Sequence, residues 1–250
     1  GGFNNDIFLG SGHFIGGGNS NLITGVTEPS VIVGGSINKI FGGTRNFIGG
    51  GRDNILSGNG NGNVIVGGVQ HDISGGNAST IGGGLVNSIS GSDAATIAGG
   101  TNCHVDRASV AFCIGGSHTI NQGSTYAALV GGVGNSTSGQ SNVILGGVDN
   151  KVTGFLNLAV GRQVKIGVGP AQTIDGATVL ADGQNRDHIS SGSHTATFDF
   201  ASGVFVPTTG FFNGLHVSGV PVSTGSSAEA DTLQTVTDRG ATTTNSITVG

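Results

Sequence analysis

Apolar residues recur between residues 7 and 159 in a short alternating pattern, small-or-polar, x, Ile, x, Gly. Ser30-Val31-Ile32-Val33-Gly34 is followed by Asn38-Lys39-Ile40-Phe41-Gly42, and Asn63-Val64-Ile65-Val66-Gly67 by His71-Asp72-Ile73-Ser74-Gly75. Alternation with period 2 predicts a strand, because successive strand side chains point to opposite faces. The closing glycine predicts a corner, since it takes positive φ at little steric cost. Gly-Gly pairs begin at 1, 17, 34, 50, 67, 83, 99, 115, 131 and 146, and a degenerate Gly161-Arg162 follows. Two strands and two corners in each of these repeats of about 16 residues predict a flat parallel coil, stacked on its neighbours as a β-roll or β-solenoid.

The columns of such a stack can be scored from the sequence. Counted along the repeats, the Ile position occurs twenty times from Ile7 to Ala159, and eighteen members are apolar. Asn121 and Thr137 are the exceptions. This column predicts the interior of the roll. The positions flanking it differ between the two halves of the repeat. In the half that ends in Gly-Gly, fifteen of twenty are apolar and none is charged, as at Phe14, Val31, Val33, Phe47, Val66, Phe112 and Leu145. In the other half only five of twenty are apolar, and Asp6, Lys39, Asp72, His104 and Lys151 fall there. One strand of each coil is therefore apolar on both faces. At about 4.8 Å per coil, eleven coils make a rod roughly 50 Å long with an apolar stripe down one side. A stripe of that size exceeds what a monomer exposes, so the chain is expected to be an obligate homo-oligomer.

Asparagine or another small polar residue stands two before the Ile: Asn21, Asn38, Asn46, Asn54, Asn63, Asn87, Asn135, Asn142, Asn150 and Asn157, with His13 and His71 in the same column. Stacked amides are expected to hydrogen-bond in ladders along the rod. Ser79-Thr80-Ile81-Gly82-Gly83-Gly84 and Asn87-Ser88-Ile89-Ser90-Gly91 resemble the head repeats of YadA-like trimeric adhesins, a resemblance that covers residues 1–166. It implies a left-handed roll assembled as a trimer.

After Ile166 the register is lost. Residues 1–166 hold seven basic and seven acidic residues and residues 167–250 two and seven, so the net charge of −5 lies in the last third. Residues 167–222 read as a β-rich capping module, with Phe198, Phe200, Phe205 and Val206 as core candidates. Gly176-Ala177-Thr178-Val179-Leu180-Ala181-Asp182-Gly183 and Ala201-Ser202-Gly203-Val204-Phe205 are similar to a module that closes YadA-like arrays. Residues 214–222 read as one further strand. Residues 223–250 read as a small-residue linker, a short helical neck over 232–238 with Leu233 and Val236 on one face, and the start of another segment at 246–250. The run Thr232-Leu233-Gln234-Thr235-Val236-Thr237-Asp238-Arg239-Gly240-Ala241-Thr242-Thr243-Thr244-Asn245-Ser246-Ile247 resembles a connector of fibre and other virion structural proteins of tailed bacteriophages, notably marine and cyanobacterial ones. Residues 215–222 resemble the segment that precedes it.

Composition narrows the chemistry. One residue in five is glycine, 51 of 250, and there is no Trp, no Met and one Tyr. The missing Met reads as an interior or processed piece of a longer polypeptide. Nine dispersed basic residues give no nucleic-acid footprint, and no apolar run is long enough to insert in a membrane. Glycine runs such as Gly82-Gly83-Gly84 are corners, with no Gly-Lys-Ser/Thr of a phosphate loop after them. The histidines are scattered, and no catalytic, cofactor-binding or metal-ligating set stands out, so no enzyme and no cofactor is expected. Asp182, Asp187 and Asp199 are the one close acidic group outside the repeats, read as loop solubility. Cys103 and Cys113 read as small core residues. One irregular stretch, 103–139, carries Arg107 in place of a corner glycine, Cys113 in the Ile column, the breaks at Asn121 and Thr137, and Tyr126 between them. The bland account is a packing irregularity with a compensating hydrogen bond, and the sharper one a bulge that shapes a receptor contact.

The expectation is an all-β parallel solenoid of about eleven coils, trimeric, with a capping region and a short helical neck. Its expected role is a rigid segment of a bacteriophage tail or virion fibre, partnered by other fibre proteins and a host cell-surface receptor and located on the virion. The alternatives are a bacterial surface adhesin head and a polysaccharide-degrading tailspike.

Overall fold

The computed structural model describes residues 1–168, 174–182, 187–190 and 192–200, and the backbone of 216–217 and 220–221. The chain divides into Gly1–Ser202 and Gly203–Gly250. The first unit is all-β. Its strands form two long parallel sheets, one of 12 strands and one of 13, so about twelve coils stack on one another. No helix occurs among the described residues.

The sheets follow the two halves of the repeat. Phe14–Ile15, Val31–Ile32, Phe47–Ile48 and Val64–Ile65 open one, with Ile15, Ile32, Ile48 and Ile65 in register. Asp6–Phe8, Leu22–Thr24, Lys39–Phe41 and Ile55–Ser57 open the other, with Ile7, Ile23, Ile40 and Leu56 in register. We call these the apolar and the polar sheet. The Ile columns of both meet inside, and from Ile23 to Val179 their apolar members are almost completely buried. Each buried Ile contributes about 1.5–3 kcal/mol, which makes this column the main apolar drive for stacking.

Corners close by a fixed sequence of backbone states. Gly35 has φ +86° and Ile37 φ +61°, with Ser36 between them. Gly35 is required twice over, for its φ and because a Cβ there would overlap the carbonyl of Gly51 and lie 2.7 Å from Asn38 Nδ2. The second left-handed residue is usually not glycine: Arg45, Asp53, Val86 and Val110 occupy it too. For an L residue this conformation costs roughly 1–2 kcal/mol. Bonds to the coils on either side offset that strain. Ser36 N–H donates to Gly51 O and Ile37 N–H to Asn19 O, each at 2.9 Å.

The residue after each such corner holds the ladder position and is often an asparagine, which bonds to backbone more than to other amides; after Val110 it is Ala111, with no side-chain amide. Asn38 N–H donates to Asn21 Oδ1 (3.1 Å), and Asn54 N–H donates to Asn38 Oδ1 (3.1 Å). Asn38 Nδ2 donates to Gly34 O in its own corner (2.9 Å) and to Gly51 O in the next coil (3.1 Å). One residue thus bonds three coils: its backbone N–H reaches the coil before, and its side chain bonds its own corner and the coil after, with its polar atoms satisfied. Amide-to-amide contact is the exception, as between Asn21 Nδ2 and Asn5 Oδ1. Asn46, Asn63, Asn142 and Asn157 run a second ladder at the opposite corner, with Ser79 substituting through its hydroxyl.

Several expectations need correction. Ile120, not Asn121, occupies the interior column, because the corner Gly115-Gly116-Ser117-His118 is one residue short and the strand slides by one. Asn121 is exposed and donates to Thr137 O. Thr137 does break the column, and its buried Oγ1 has no hydrogen-bond partner. The stack also continues past Ile166. Ile174–Asp175 and His188–Ile189 join the polar sheet, and Thr178–Ala181 and Ala196–Asp199 join the apolar one. Longer corners hide these strands from a search at 16-residue spacing. Phe198 is no core residue: Thr197 faces Val179 inside, which turns Phe198 outward at 55% exposure. Phe200 is half-buried.

In the second unit, His216–Val217 pairs antiparallel with Val220–Pro221, so the expected single strand is two. Phe205, Val206, the linker at 223–230, the helical neck at 232–238 and the strand at 246–250 lie outside the described residues.

The ladder generates a direct test. Asn54→Leu removes an acceptor for His71 N–H and two donations to Gly50 O and Gly68 O. It is expected to destabilise the first unit by about 3 kcal/mol or more, at ~1–3 kcal/mol per buried polar group left unpaired. Asn54→His, which keeps an acceptor as His71 does, is expected to lose clearly less. Urea unfolding midpoints of the two variants decide it.

Candidate functional surface

The apolar sheet carries the most distinctive surface on the molecule. Its inward residues are the Ile column, and its outward residues stand on either side of that column. Among these, Phe14 (55%), Val66 (56%) and Leu145 (45%) remain exposed, as do Val33 and Phe112. Phe14 and Phe47 fold their rings over Gly16 and Gly49 in their own coils, so the first four coils alternate Phe/Gly with Val/Val. No charged residue interrupts the outward positions between Phe14 and Val160. Exposed apolar residues also rim both corners: Ile37, Leu85 and Val86 on one, Val110, Tyr126 and Leu156 on the other. Ile37, Val86, Val110, Tyr126 and Leu156 hold the strained left-handed conformation described above.

The polar sheet offers hydroxyls and scattered charge. Ser88 Oγ and His104 Nδ1 lie 2.5 Å apart on adjacent coils. Asp72 is half-buried, and burial pushes its carboxyl above the usual range. Arg45 and Glu28 pair across coils at 2.7 Å, and both are well exposed, so the pair adds little stability. A shallow depression of about 430 Å³ lies where two long polar strands run on across the corner, beside Gln140, Phe155 and Asp175.

The residues singled out for chemistry fall in separate places. Asp187 pairs with Lys165 at 2.5 Å. Asp199 Oδ2 lies 2.6 Å from His188 Nδ1, and Asp182 Oδ1 lies 3.8 Å from His188 Nε2. His188 is fully buried and belongs to the polar sheet, whereas Asp199 ends a strand of the apolar sheet. Asp182 and Asp199 therefore flank an interior histidine that joins the two sheets, and Asp187 stands apart from them. Among the described residues no three His, Cys, Asp or Glu side chains gather as a metal site.

Arg107 does hold a corner at positive φ (+42°). His71 and His13 act as asparagine substitutes. His71 N–H donates to Asn54 Oδ1, and His71 Nδ1 accepts from Asn87 N–H at 3.1 Å. That acceptor role requires the neutral ring with its proton on Nε2. His118 stands in the same column, concealed in the sequence by the short corner before it, but its ring does not accept the N–H of Asn135 as a ladder residue would. Burial lowers the pKa of both His71 and His118, and backbone hydrogen bonds partly oppose it.

No protein-family model matches the sequence, and no curated protein matches it.

The histidine arrangement fixes a pH dependence. A histidine whose folded pKa is lowered binds fewer protons folded than unfolded, so stability is full above about pH 6.5 and falls as pH drops below it. The double variant His71→Asn/His118→Asn is expected to show a smaller loss of urea midpoint between pH 7.5 and pH 5 than the parent chain. For Asp72 the sign is opposite: the carboxylate is disfavoured in the fold, so Asp72→Asn is expected to raise the midpoint at pH 7 and to gain less at pH 3.5.

Proposed function

We propose that the chain is a rigid structural segment of a tailed-bacteriophage fibre, in which several copies pack through their apolar sheets and support a host-binding tip. The observation that carries the multi-copy rod is the uncharged apolar face extending over coil after coil. Left uncovered, a continuous face of this kind would drive non-specific association. Three copies and a left-handed coil follow from the resemblance of the repeats to YadA-like heads. The virion assignment rests on the resemblance of 232–247 to a phage fibre connector.

The mechanism is mechanical. Each coil is bonded to the next by sheet hydrogen bonds, corner bonds and ladder side chains, so the stack resists bending and holds what it supports at a fixed distance. Several tips on one fibre raise the effective concentration of each for a host cell-surface receptor.

The packing face can be tested separately from the biology. Val66→Asp on the apolar sheet is expected to shift the assembly toward lower mass in sedimentation, while Ser74→Asp on the polar sheet leaves it unchanged. The biological reading is tested with gold-labelled antibody against residues 1–166 on phage particles and on uninfected host cells. Label on projecting fibres is the expected result. Label confined to cell envelopes would replace the fibre with a surface adhesin, and release of reducing ends from host polysaccharide by the purified rod would replace it with a tailspike.

A further inference from the structure

The chain has two cysteines, and both fall in one coil. Cys103 stands in the ladder column, where the neighbouring coils place Asn87 and His118. Its N–H donates to Asn87 Oδ1 at 2.9 Å, as a ladder asparagine's would. Its Sγ lies 3.4 Å from Gly116 O and 3.6 Å from Gly115 O, the place that an amide Nδ2 fills in other coils. Cys113 stands in the interior column of the apolar sheet, in register between Ile97 and Leu129. Both side chains are fully buried inside the coil, and Cys103 Sγ lies 3.6 Å from the carbonyl of Gly115, two residues beyond Cys113.

Neither residue is what its column favours. A thiol is a weak donor beside the amide that bonds two carbonyls in the other coils. Cysteine is also smaller than the Ile or Leu on either side of Cys113, which leaves less packing in the interior. Two unfavourable choices coincide in one coil and face each other.

We propose that Cys103 and Cys113 are a disulfide-forming pair that staples the corner of this coil to its core when the chain folds in contact with a small-molecule disulfide. The Cys103 thiolate attacks one sulfur of that disulfide, forming a mixed disulfide and releasing one thiol. The Cys113 thiolate then attacks the Cys103 sulfur, forming the intramolecular S–S bond and releasing the second thiol. Two S–H bonds are lost, their protons pass to solvent and then to the departing thiolates, and the oxidant is reduced to two thiols. The exchange balances equally with the two thiols in the opposite order, because in the open coil neither has a partner; in the closed coil the Cys113 thiol donates to Cys103 and His118 N–H points at it. Against the opposing effect of burial, these lower its pKa to about 7. The same hydrogen bond, together with burial, pushes Cys113 up. Exchange occurs while the coil is still open, since the finished stack buries both sulfurs, and the short chain between them keeps closure easy.

The test uses the full chain, refolded with a mixture of oxidised and reduced glutathione, then unfolded, treated with iodoacetamide and weighed intact. The expected product is roughly 2 Da lighter than the reduced chain, takes up no alkyl group and is not linked to another chain. Cys113→Ala, which removes one thiol of the pair and leaves the ladder position filled, is expected to retain bound glutathione instead. A parent chain that takes up two alkyl groups, carries glutathione or forms interchain links under excess oxidised glutathione would overturn the pairing. So would an oxidised chain whose urea midpoint equals that of the reduced one.

Discussion

The structure depends on one constraint: a coil of about sixteen residues is too small to bury its own backbone groups, so each coil must complete its hydrogen bonding with the next. The ladder asparagine meets that demand at the point where strand bonding stops. At the corner the strand pairing lapses, and carbonyls such as Gly34 O and Gly51 O take their hydrogen bonds from the Asn38 side chain. Asn38 supplies two donors to those carbonyls, an acceptor for the coil after it and a donor for the coil before it. The same requirement explains the substitutes. Serine and histidine can accept the N–H of the following coil, and both occur in the ladders at Ser79 and His71.

Once the corners are fixed, the two sheets are free to differ, and they do. The interior is served equally by both Ile columns, so the outward residues carry whatever the surface requires. On the polar sheet these are hydroxyls and isolated charges. On the apolar sheet, between Phe14 and Val160, they are Phe, Val, Leu, Ile and Ala with a few Gly and Thr, and no charge among them. The corner strain has the same character. Ile37, Val86 and Val110 place exposed apolar side chains in a conformation that disfavours branched residues, beside polar residues such as Asp53 and Arg45 that hold it as well. Corner geometry alone does not demand apolar residues there, and a covering partner gives them a reason.

Much of this was legible in the sequence because stacking repeats each physical requirement at a constant spacing. The Ile column, the asparagine column and the unequal sheets all show as periodic positions. What was not legible breaks the period locally. One missing corner residue moved Ile120 into the interior and brought His118 into the ladder column, which spacing alone assigned to no role. Longer corners after Ile166 carried the sheets on through Ala196–Asp199 without Gly-Gly markers. The left-handed residue before each ladder position left no trace, since its side chain varies from Arg45 to Val110. The meeting of Cys103 with Cys113 likewise needed the coil to be closed, because the two columns touch only across its interior.

The central claim is that the apolar sheet is an interior surface of an assembly and not the outside of a single chain. The most direct measurement is the solution mass of the purified full chain by light scattering, taken together with circular dichroism to establish that it is folded. The expected result is a β-rich particle at a whole-number multiple of 24.5 kDa that persists on dilution. A stable, folded particle at 24.5 kDa would contradict it.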